Sequence, residues 1–507
     1  MKIVINIISD IISICKNKTS QNNSKEATFL IEVAFLFIQS EMQRKYKAIV
    51  IAGLFSFYSN LKGDIIMTGE EIKSTSVQYN MQSWSKQKGI NPISVEKAEG
   101  IYFWDYEGTR YSDMSSQLVN LNVGFGNKDI ADAIKKQVDQ YCFVGPSYGA
   151  ESRATLAKML IDLMPDNMGK VFFTNAGADA NENAIKMARM YTGRNKVFSR
   201  YRSYHGSTFG AGNLTGEPRR YALEPGIPGF VKFFDPYIYR EPIKFESEEA
   251  AGDYYVAKLR EQIIYEGSDS VAAIVMETIT GSNGIIIPPK NYMPGVRKIC
   301  DDFGIMMIVD EVMTGFGRTG KMFGFENFDV KPDIVSFAKG VTCGYVPLGG
   351  CIISKKIAEY FDDNFLSCGL TYSGHPLGCA AGVACVKFYE KANILENVNK
   401  VGAVLKTRLE EFRDKYACVG DVRAIGLFSA IELVKDKTTK EALVPYGKDP
   451  EGIMGKILGL LKQRQFMTYT HENMVFICPP LIITEEQLLE ELVKVDEVLA
   501  IIDKEFL

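Results

Sequence analysis

Beyond residue 100, short apolar runs alternate with stretches whose apolar residues recur at helical spacing. Residues 171–174, 196–199, 271–276, 305–309 and 334–338 have the length and texture of strands buried on both faces. Between them the period lengthens. Over 129–141 it puts Ile130, Ala133, Ile134 and Val138 on one helical face. Ile101-Tyr-Phe-Trp-Asp105 followed by Tyr-Glu-Gly108 reads as an aromatic strand entering a hairpin turn. Strands alternating with helices predict an α/β fold built on a mainly parallel sheet. From about residue 393 the texture changes. Long helices over 394–415 and 485–504 surround short strands over 428–434 and 474–478, the pattern of a smaller α+β domain.

The first 66 residues read differently. Apolar-rich runs at 3–14, 29–37 and 48–57 are each shorter than the ~20 residues a membrane span needs. No small-residue cleavage site follows the first run, so a secretory signal is a poor reading. Lys62-Gly63-Asp64 can be encoded by the purine-rich AAAGGAGAT, which resembles a ribosome-binding site just upstream of Met67. The expectation is that translation starts at Met67 and that 1–66 is a disordered or non-native extension.

At 507 residues the chain is long enough for two or more domains. Its 46% hydrophobic and 24% charged content is that of an ordinary globular protein. Lys+Arg at 58 against Asp+Glu at 62 leaves a net charge of -4, no electrostatic reason to expect nucleic acid or an anionic membrane as partner. The 10 cysteines are scattered from Cys15 to Cys478 with no C-x-x-C pair, which predicts reduced thiols and a cytoplasmic location. His205, His375 and His471 lie far apart in sequence, so no metal site is expected.

The residues with chemistry fall at strand ends, where open α/β sheets bind ligands. The run 271–276 ends in Glu277, 305–309 in Asp310-Glu311, and 334–338 in Lys339-Gly340. A lone lysine at a strand end is usually just solvated; a lysine with acids at neighbouring ends marks a site. After 171–174 comes Asn175-Ala-Gly177-Ala178-Asp179, a glycine turn opening a helix whose N–H groups would suit a phosphate. By itself an ordinary turn capped by Asp179 explains it as well. Gly315-Phe-Gly317-Arg-Thr-Gly320 matches the dinucleotide pattern, which would make the chain an NAD-dependent oxidoreductase. That fingerprint should open a helix directly after a strand, and here 310–314 intervene.

Asp310-Glu-Val-Met-Thr-Gly-Phe-Gly-Arg-Thr-Gly320, then Pro332-Asp-Ile-Val-Ser-Phe-Ala-Lys339-Gly, resembles the signature of class III pyridoxal-phosphate (PLP) aminotransferases. Asn175 to Glu182, Tyr204-His205-Gly206 and Thr371-Tyr-Ser-Gly-His375-Pro agree in order, and the resemblance runs from about Tyr79 to the C-terminus. It implies the PLP-dependent transferase fold type I. Residues 67–125 would join the small domain, 126–390 form the large PLP-binding domain, and 391–507 form the small one. Lys339 would carry the cofactor as a Schiff base and shuttle the proton. Asp310 would pair with the pyridinium nitrogen, with Val312 on one ring face and Tyr204 on the other. Gly177 and Ala178 would give backbone N–H groups to the phosphate. Relatives often carry a hydroxyl where this chain has Ala178. Thr371 would reach the phosphate across a homodimer with shared active sites, and dimers can pair further. Glu277 and Glu182 would be acids near the ring and the lysine, although a surface or capping role fits either equally well.

The implied reaction moves an amino group to a 2-oxo acid in a ping-pong cycle. A racemase or aminomutase of the same fold is the nearest alternative. The familiar substrate arginines of the family are replaced by Ser207 and Tyr469, leaving Arg202, Arg219, Arg220 and Arg423 as candidates. Asn213-Leu-Thr-Gly-Glu-Pro-Arg-Arg220, with Pro236-Tyr-Ile-Tyr239-Arg240, is most similar to the taurine/ω-amino-acid branch. Taurine or β-alanine as donor, and 2-oxoglutarate or pyruvate as acceptor, are therefore expected.

Overall fold

The structure, a computed structural model, describes residues 67–507. The reading of residues 1–66 lies outside them. Described residues up to 96, with 105–108, make one compact unit, and 97–104 with 109–507 make a second. In the first, Thr68 starts the helix Gly69–Tyr79 with a capping box: its hydroxyl accepts from the Glu71 amide, and the Glu71 carboxylate accepts from the Thr68 amide.

The second unit is organised by a seven-stranded sheet. Its strands are β1 (Met168–Thr174), β2 (Lys196–Arg200), β3 (Phe230–Phe233), β4 (Val271–Glu277), β5 (Met306–Asp310), β6 (Ile334–Phe337) and β7 (Gly349–Ser354). Their spatial order is β1-β7-β6-β5-β4-β2-β3. β2 to β6 pair in parallel, and β7 runs antiparallel to both its neighbours.

Alternate residues of the central strands enter different cores. Ala273, Val275, Ile308 and Ile334 join helix α3 (Gly177–Thr192) on one face; Ile274, Met276, Met307, Val309 and Val335 join the larger core on the other. With both faces covered, a strand gains nothing from polar residues, and all of β4 is buried.

The five predicted strands stand, and β3 and β7 add two the apolar pattern did not mark. β7 opens on Gly349-Gly350 because its neighbours leave no room. A Cβ on Gly350 would lie 2.6 Å from the Phe337 ring and 2.7 Å from the Phe172 carbonyl oxygen. The helix predicted over 129–141 is α1 (Lys128–Gln140), capped by Asn127, and α2 (Glu151–Asp162) follows it. Ile130 is buried on it, but Val138 is exposed and Gln137 is buried instead, donating to the Tyr141 carbonyl at 3.1 Å.

C-terminal residues form a second sheet in which Phe428–Asp436 pairs with Val419–Ile425 and Met474–Ile477. The long helices Ile394–Lys415 and Glu485–Glu505 lie in this part. Phe466–Met467 pairs in parallel with Arg110–Asp113. Among the described residues no helix is long and apolar enough to cross a membrane, and no group of three or more His, Cys, Asp or Glu could hold a metal.

Candidate active site

Strand register gathers the acids. Glu277 at the end of β4 sits opposite Asp310 at the end of β5, and Asp310 sits opposite Ser336 of β6. Three residues past Ser336, the chain leaves β6 through Ala338 into a short 3-10 turn, Lys339–Val341. Lys339 has φ +43, a left-handed conformation that a side-chain-bearing residue adopts only when its surroundings impose it. Those surroundings are tight. The Lys339 carbonyl accepts from the Cys343 amide at 2.9 Å, the Gly340 carbonyl accepts from the Tyr389 hydroxyl at 2.9 Å, and a Cβ on Gly340 would lie 2.7 Å from Asn122 Nδ2.

Lys339 is half-buried. Burial lowers its pKa to about 8, against the pull of Asp310 and Glu277, and Arg219 and Arg318 lower it further. A lysine tuned toward neutrality suits a nucleophile and proton carrier.

Asp310 is buried, and its carboxylate is held from three directions. Oδ2 accepts from Asn181 Nδ2 at 2.7 Å and lies 2.7 Å from His205 Nδ1; Oδ1 accepts from the Val312 amide at 3.0 Å. Asn181 and His205 are partners that the strand-end argument did not find. The signal was present, since both lie inside the two segments that resemble the family.

Glu311, the next acid, is used structurally: it accepts from Thr278, Thr314 and the amides of Gly324 and Phe325. Glu277 binds two loops, accepting from the Tyr204 amide at 3.1 Å and the Gly281 amide at 2.6 Å. Burial first, then the charge of Asp310, raises its pKa to about 7, although His205 and the two amides oppose the shift.

Gly177 opens the 16-residue helix α3, and no side chain caps that end. Asp179 is in the first turn without capping it, so the plain capped-turn reading does not hold. A Cβ on Gly177 would lie 2.8 Å from Val312 Cγ2, so glycine is what lets the helix end approach the Asp310 loop. Gly206, at φ +134, packs as closely on Ala178: a Cβ there would lie 2.6 Å from the Ala178 Cβ. Tyr204 hydrogen-bonds Ser207 through its hydroxyl at 2.9 Å.

Glu182 and Thr371 have surroundings of their own. Glu182 accepts at one oxygen from the Thr208 hydroxyl and the amides of Gly210 and Ala211, which makes it the cap of the short helix Phe209–Leu214. Thr371 is exposed, on a loop that Ser373 ties to the Phe173 carbonyl at 2.6 Å.

The glycines 315–320 form a tight loop, Gly317 and Gly320 both with positive φ, and no helix opens from it. Arg318 within it is fully buried, donating to the Leu427 and Pro479 carbonyls and to Ser116 and Asn122. That is a structural clamp, not a nucleotide cradle.

A lysine tuned down by burial, a carboxylate fixed by three donors and an open helix N-terminus beside them are the parts a phosphorylated pyridine aldehyde needs. The model of the family described as aminotransferase class-III matches residues 84–499.

This chain belongs to the class-III aminotransferases.

The enzyme is therefore a PLP-dependent transaminase of fold type I. It is similar to the solved taurine:2-oxoglutarate aminotransferase of Bifidobacterium kashiwanohense, in complex with PLP and glutamate, at 53% identity and a TM-score of 0.85, over 87% of this chain and 100% of that one. It is 34% identical over 459 residues to the taurine–pyruvate aminotransferase of Bilophila wadsworthia, covering 86% of this chain and 97% of the relative. An (S)-enantioselective ω-transaminase from Thermomicrobium roseum has a TM-score of 0.82 at 33% identity, over 86% and 99% of the two chains. The enzyme moves an amino group from an ω-amino acid or amine to a 2-oxo acid.

Proposed function

We propose that the donor is taurine and the acceptor 2-oxoglutarate, in a ping-pong cycle. The observation that carries this is the 53% identity, over 87% of this chain, to a taurine:2-oxoglutarate aminotransferase. When bound, PLP supplies an electron sink that stabilises charge on the donor's reacting carbon. Lys339 holds the cofactor's aldehyde carbon and carries the proton between substrate and cofactor through Nζ. Asp310, aligned by Asn181, His205 and the Val312 amide, keeps the ring nitrogen protonated. The amides of Gly177 and Ala178 bind the phosphate at the α3 N-terminus. Val312 and Tyr204 bracket the ring. Glu277 positions Tyr204 through its backbone amide rather than touching the reacting atoms.

The active unit in this reading is a cytoplasmic homodimer whose sites are completed by the partner's loop, with residues 126–390 holding the cofactor and 391–507 the smaller part. The exposure of Thr371 supports that, because a phosphate ligand presented to a neighbour must stand outside its own chain's core. A panel of donors against 2-oxoglutarate and pyruvate tests the substrates. Taurine with 2-oxoglutarate should give the highest kcat/KM and release sulfoacetaldehyde and glutamate. A clear preference for a diamine without an acid group would overturn the donor assignment.

A further inference from the structure

We propose that Arg219 receives the acid group of the amino donor, and that Glu217 holds Arg219 in place. This rests on the reading of the enzyme as one that takes acidic ω-amino donors, and it names the residue that recognises them.

Four arginines were candidates, and their surroundings separate them. Arg423 is committed: it donates to the Gly284 carbonyl at 2.6 Å, to Asp421 at 2.5 Å and to Glu432 at 2.8 Å. Arg202 lies between the rings of Tyr237 and Tyr446, at 5.0 and 4.9 Å, in a cavity lined by Phe234 and Asp235 and not by Lys339. Arg220 donates to the Gly216 carbonyl at 3.0 Å and pairs with Glu224 at 3.5 Å. Arg219 differs from these three in that its guanidinium lies over the ring of Tyr204, 3.9 Å from the centroid, and the Tyr204 amide donates to Glu277 at the end of β4. Arg318, whose charge also bears on Lys339, is fully buried, and its two terminal nitrogens are engaged by four acceptors.

The local chain explains how Arg219 gets there. A Cβ on Gly216 would fall 2.1 Å from the Arg200 carbonyl oxygen and 2.2 Å from that of Tyr201, so only glycine lets the segment press against the end of β2. Glu217 then turns inward and is completely buried, while Arg219 keeps 31% of its side chain exposed, against 10% for Arg423.

Glu217 contacts Arg219 Nε with one carboxylate oxygen, and the other lies 2.9 Å from His471 Nε2. Burial alone would raise the Glu217 carboxyl, but His471 and Arg219 more than offset it and hold its pKa below the usual range. Glu217 therefore stays ionised. The guanidinium lies 3.9 Å from the centroid of the Tyr204 ring, and Nη2 is 3.4 Å from Ser282 Oγ. A planar guanidinium fixed by a carboxylate at one edge and a ring at its face is pre-organised for a two- or three-oxygen acid.

The need for such a cation is electrostatic. Asp310 and Glu277 sit beside Lys339, so a sulfonate or carboxylate entering this pocket meets acids of its own sign unless a cation offsets them. Tyr469, at the position where some relatives carry an arginine, stacks on Phe476 at 4.4 Å and brings no charge. Ser207 brings none either.

The test uses the holoenzyme. Wild type, Arg219→Gln and Arg219→Lys are mixed with taurine, β-alanine or propylamine without acceptor, and the cofactor's visible absorbance reports the half-reaction. In parallel, calorimetry measures binding of 1-propanesulfonate, which has the acid and lacks the amine. Arg219→Gln should lower kcat/KM for both acidic donors on the order of 100-fold and remove propanesulfonate binding, as loss of a charge-assisted contact predicts. Propylamine has no group for Arg219 to bind, so its loss should be at least about tenfold smaller than that of either acidic donor. Arg219→Lys should fall between and carries the test if Arg219→Gln does not fold. Equal loss with propylamine, or undiminished propanesulfonate binding, overturns the assignment. A wild type that converts β-alanine but not taurine overturns the taurine reading alone, and Arg219 is then judged on β-alanine.

Discussion

The two ends of the pocket around Lys339 are built in opposite ways. At the cofactor end, Asp310 and Glu277 project from adjacent parallel strands in register, are buried, and have carboxylates held by hydrogen bonds from side chains and backbone amides. At the substrate end, Arg219 rides on a 3-10 turn, stays partly exposed, and depends on a buried carboxylate that also meets a histidine from the C-terminal part. The difference follows from what each end must do. The cofactor is constant, so its partners can sit on the stiffest elements available. The substrate pocket must take two different molecules in turn, and loops tolerate such variation where strands do not.

The sharpest way to break this division is at Lys339. Lys339→Ala should abolish turnover, to below about one part in 1,000, because the attachment point and the proton carrier are lost together. The melting transition should remain cooperative. Mixing this variant with a chain in which Thr371 is replaced by tryptophan should restore part of the activity if sites are shared, since one site of each mixed dimer then has both residues intact. No recovery after demonstrated subunit exchange would put Thr371 outside the neighbour's site. Asp310→Asn should cost less, on the order of 100-fold in kcat, the scale of one lost charge-stabilising contact. Its effect on cofactor affinity should be smaller. A near-normal rate would mean another acid serves the ring nitrogen.

The contrast also governs what the sequence made legible. Lys339, Asp310 and Glu277 could be found because each follows an apolar run that had to be a buried strand, and strand ends are where α/β sheets bind ligands. The strand β7 was missed because its first two residues are glycines, chosen by the crowding of Phe337 and Phe172 and not by hydrophobicity. Val138 was read as core from its spacing, yet a side-chain hydrogen bond buries Gln137 there instead. Asn181 and His205 act on Asp310 across long stretches of chain, so periodicity does not mark them, and only the family-like segments that contain them point their way. Arg219 could be named among four arginines but not chosen, because the choice depends on its contacts in space with Glu217, Tyr204 and Ser282.

A smaller effect concerns protonation at the cofactor end. The amine must be neutral to attack the cofactor's aldehyde, and burial sets the Lys339 pKa near 8, below the ordinary lysine value. The rate of cofactor loading onto the apoenzyme should thus rise about tenfold per pH unit below 8 and level off above it. Stopped-flow absorbance between pH 6 and 9 measures this. Glu277 stabilises the charged amine, so Glu277→Gln should move the midpoint to lower pH. A midpoint that stays put or moves up would mean that the charge of Glu277 does not reach the lysine.

The smallest expected effect separates two roles for Glu182. The resemblance to the family allowed an acid beside the cofactor ring, but the carboxylate is spent on the Thr208 hydroxyl and the amides of Gly210 and Ala211. Gly210 is shaped around it: a Cβ there would lie 2.1 Å from Glu182 Oε2. A carboxylate at a helix N-terminus satisfies amides that would otherwise be unpaired, so Glu182→Ala should cost about 1–2 kcal/mol of stability, read from denaturant unfolding. The helix it caps follows directly on the Tyr204 loop, so activity should fall modestly, in step with loosening of that loop, and far less than in Asp310→Asn. The opposite pattern, an unchanged unfolding midpoint with a loss of rate as large as that of Asp310→Asn, would return Glu182 to the chemistry. It would also show that the cofactor end extends past the strand ends onto α3.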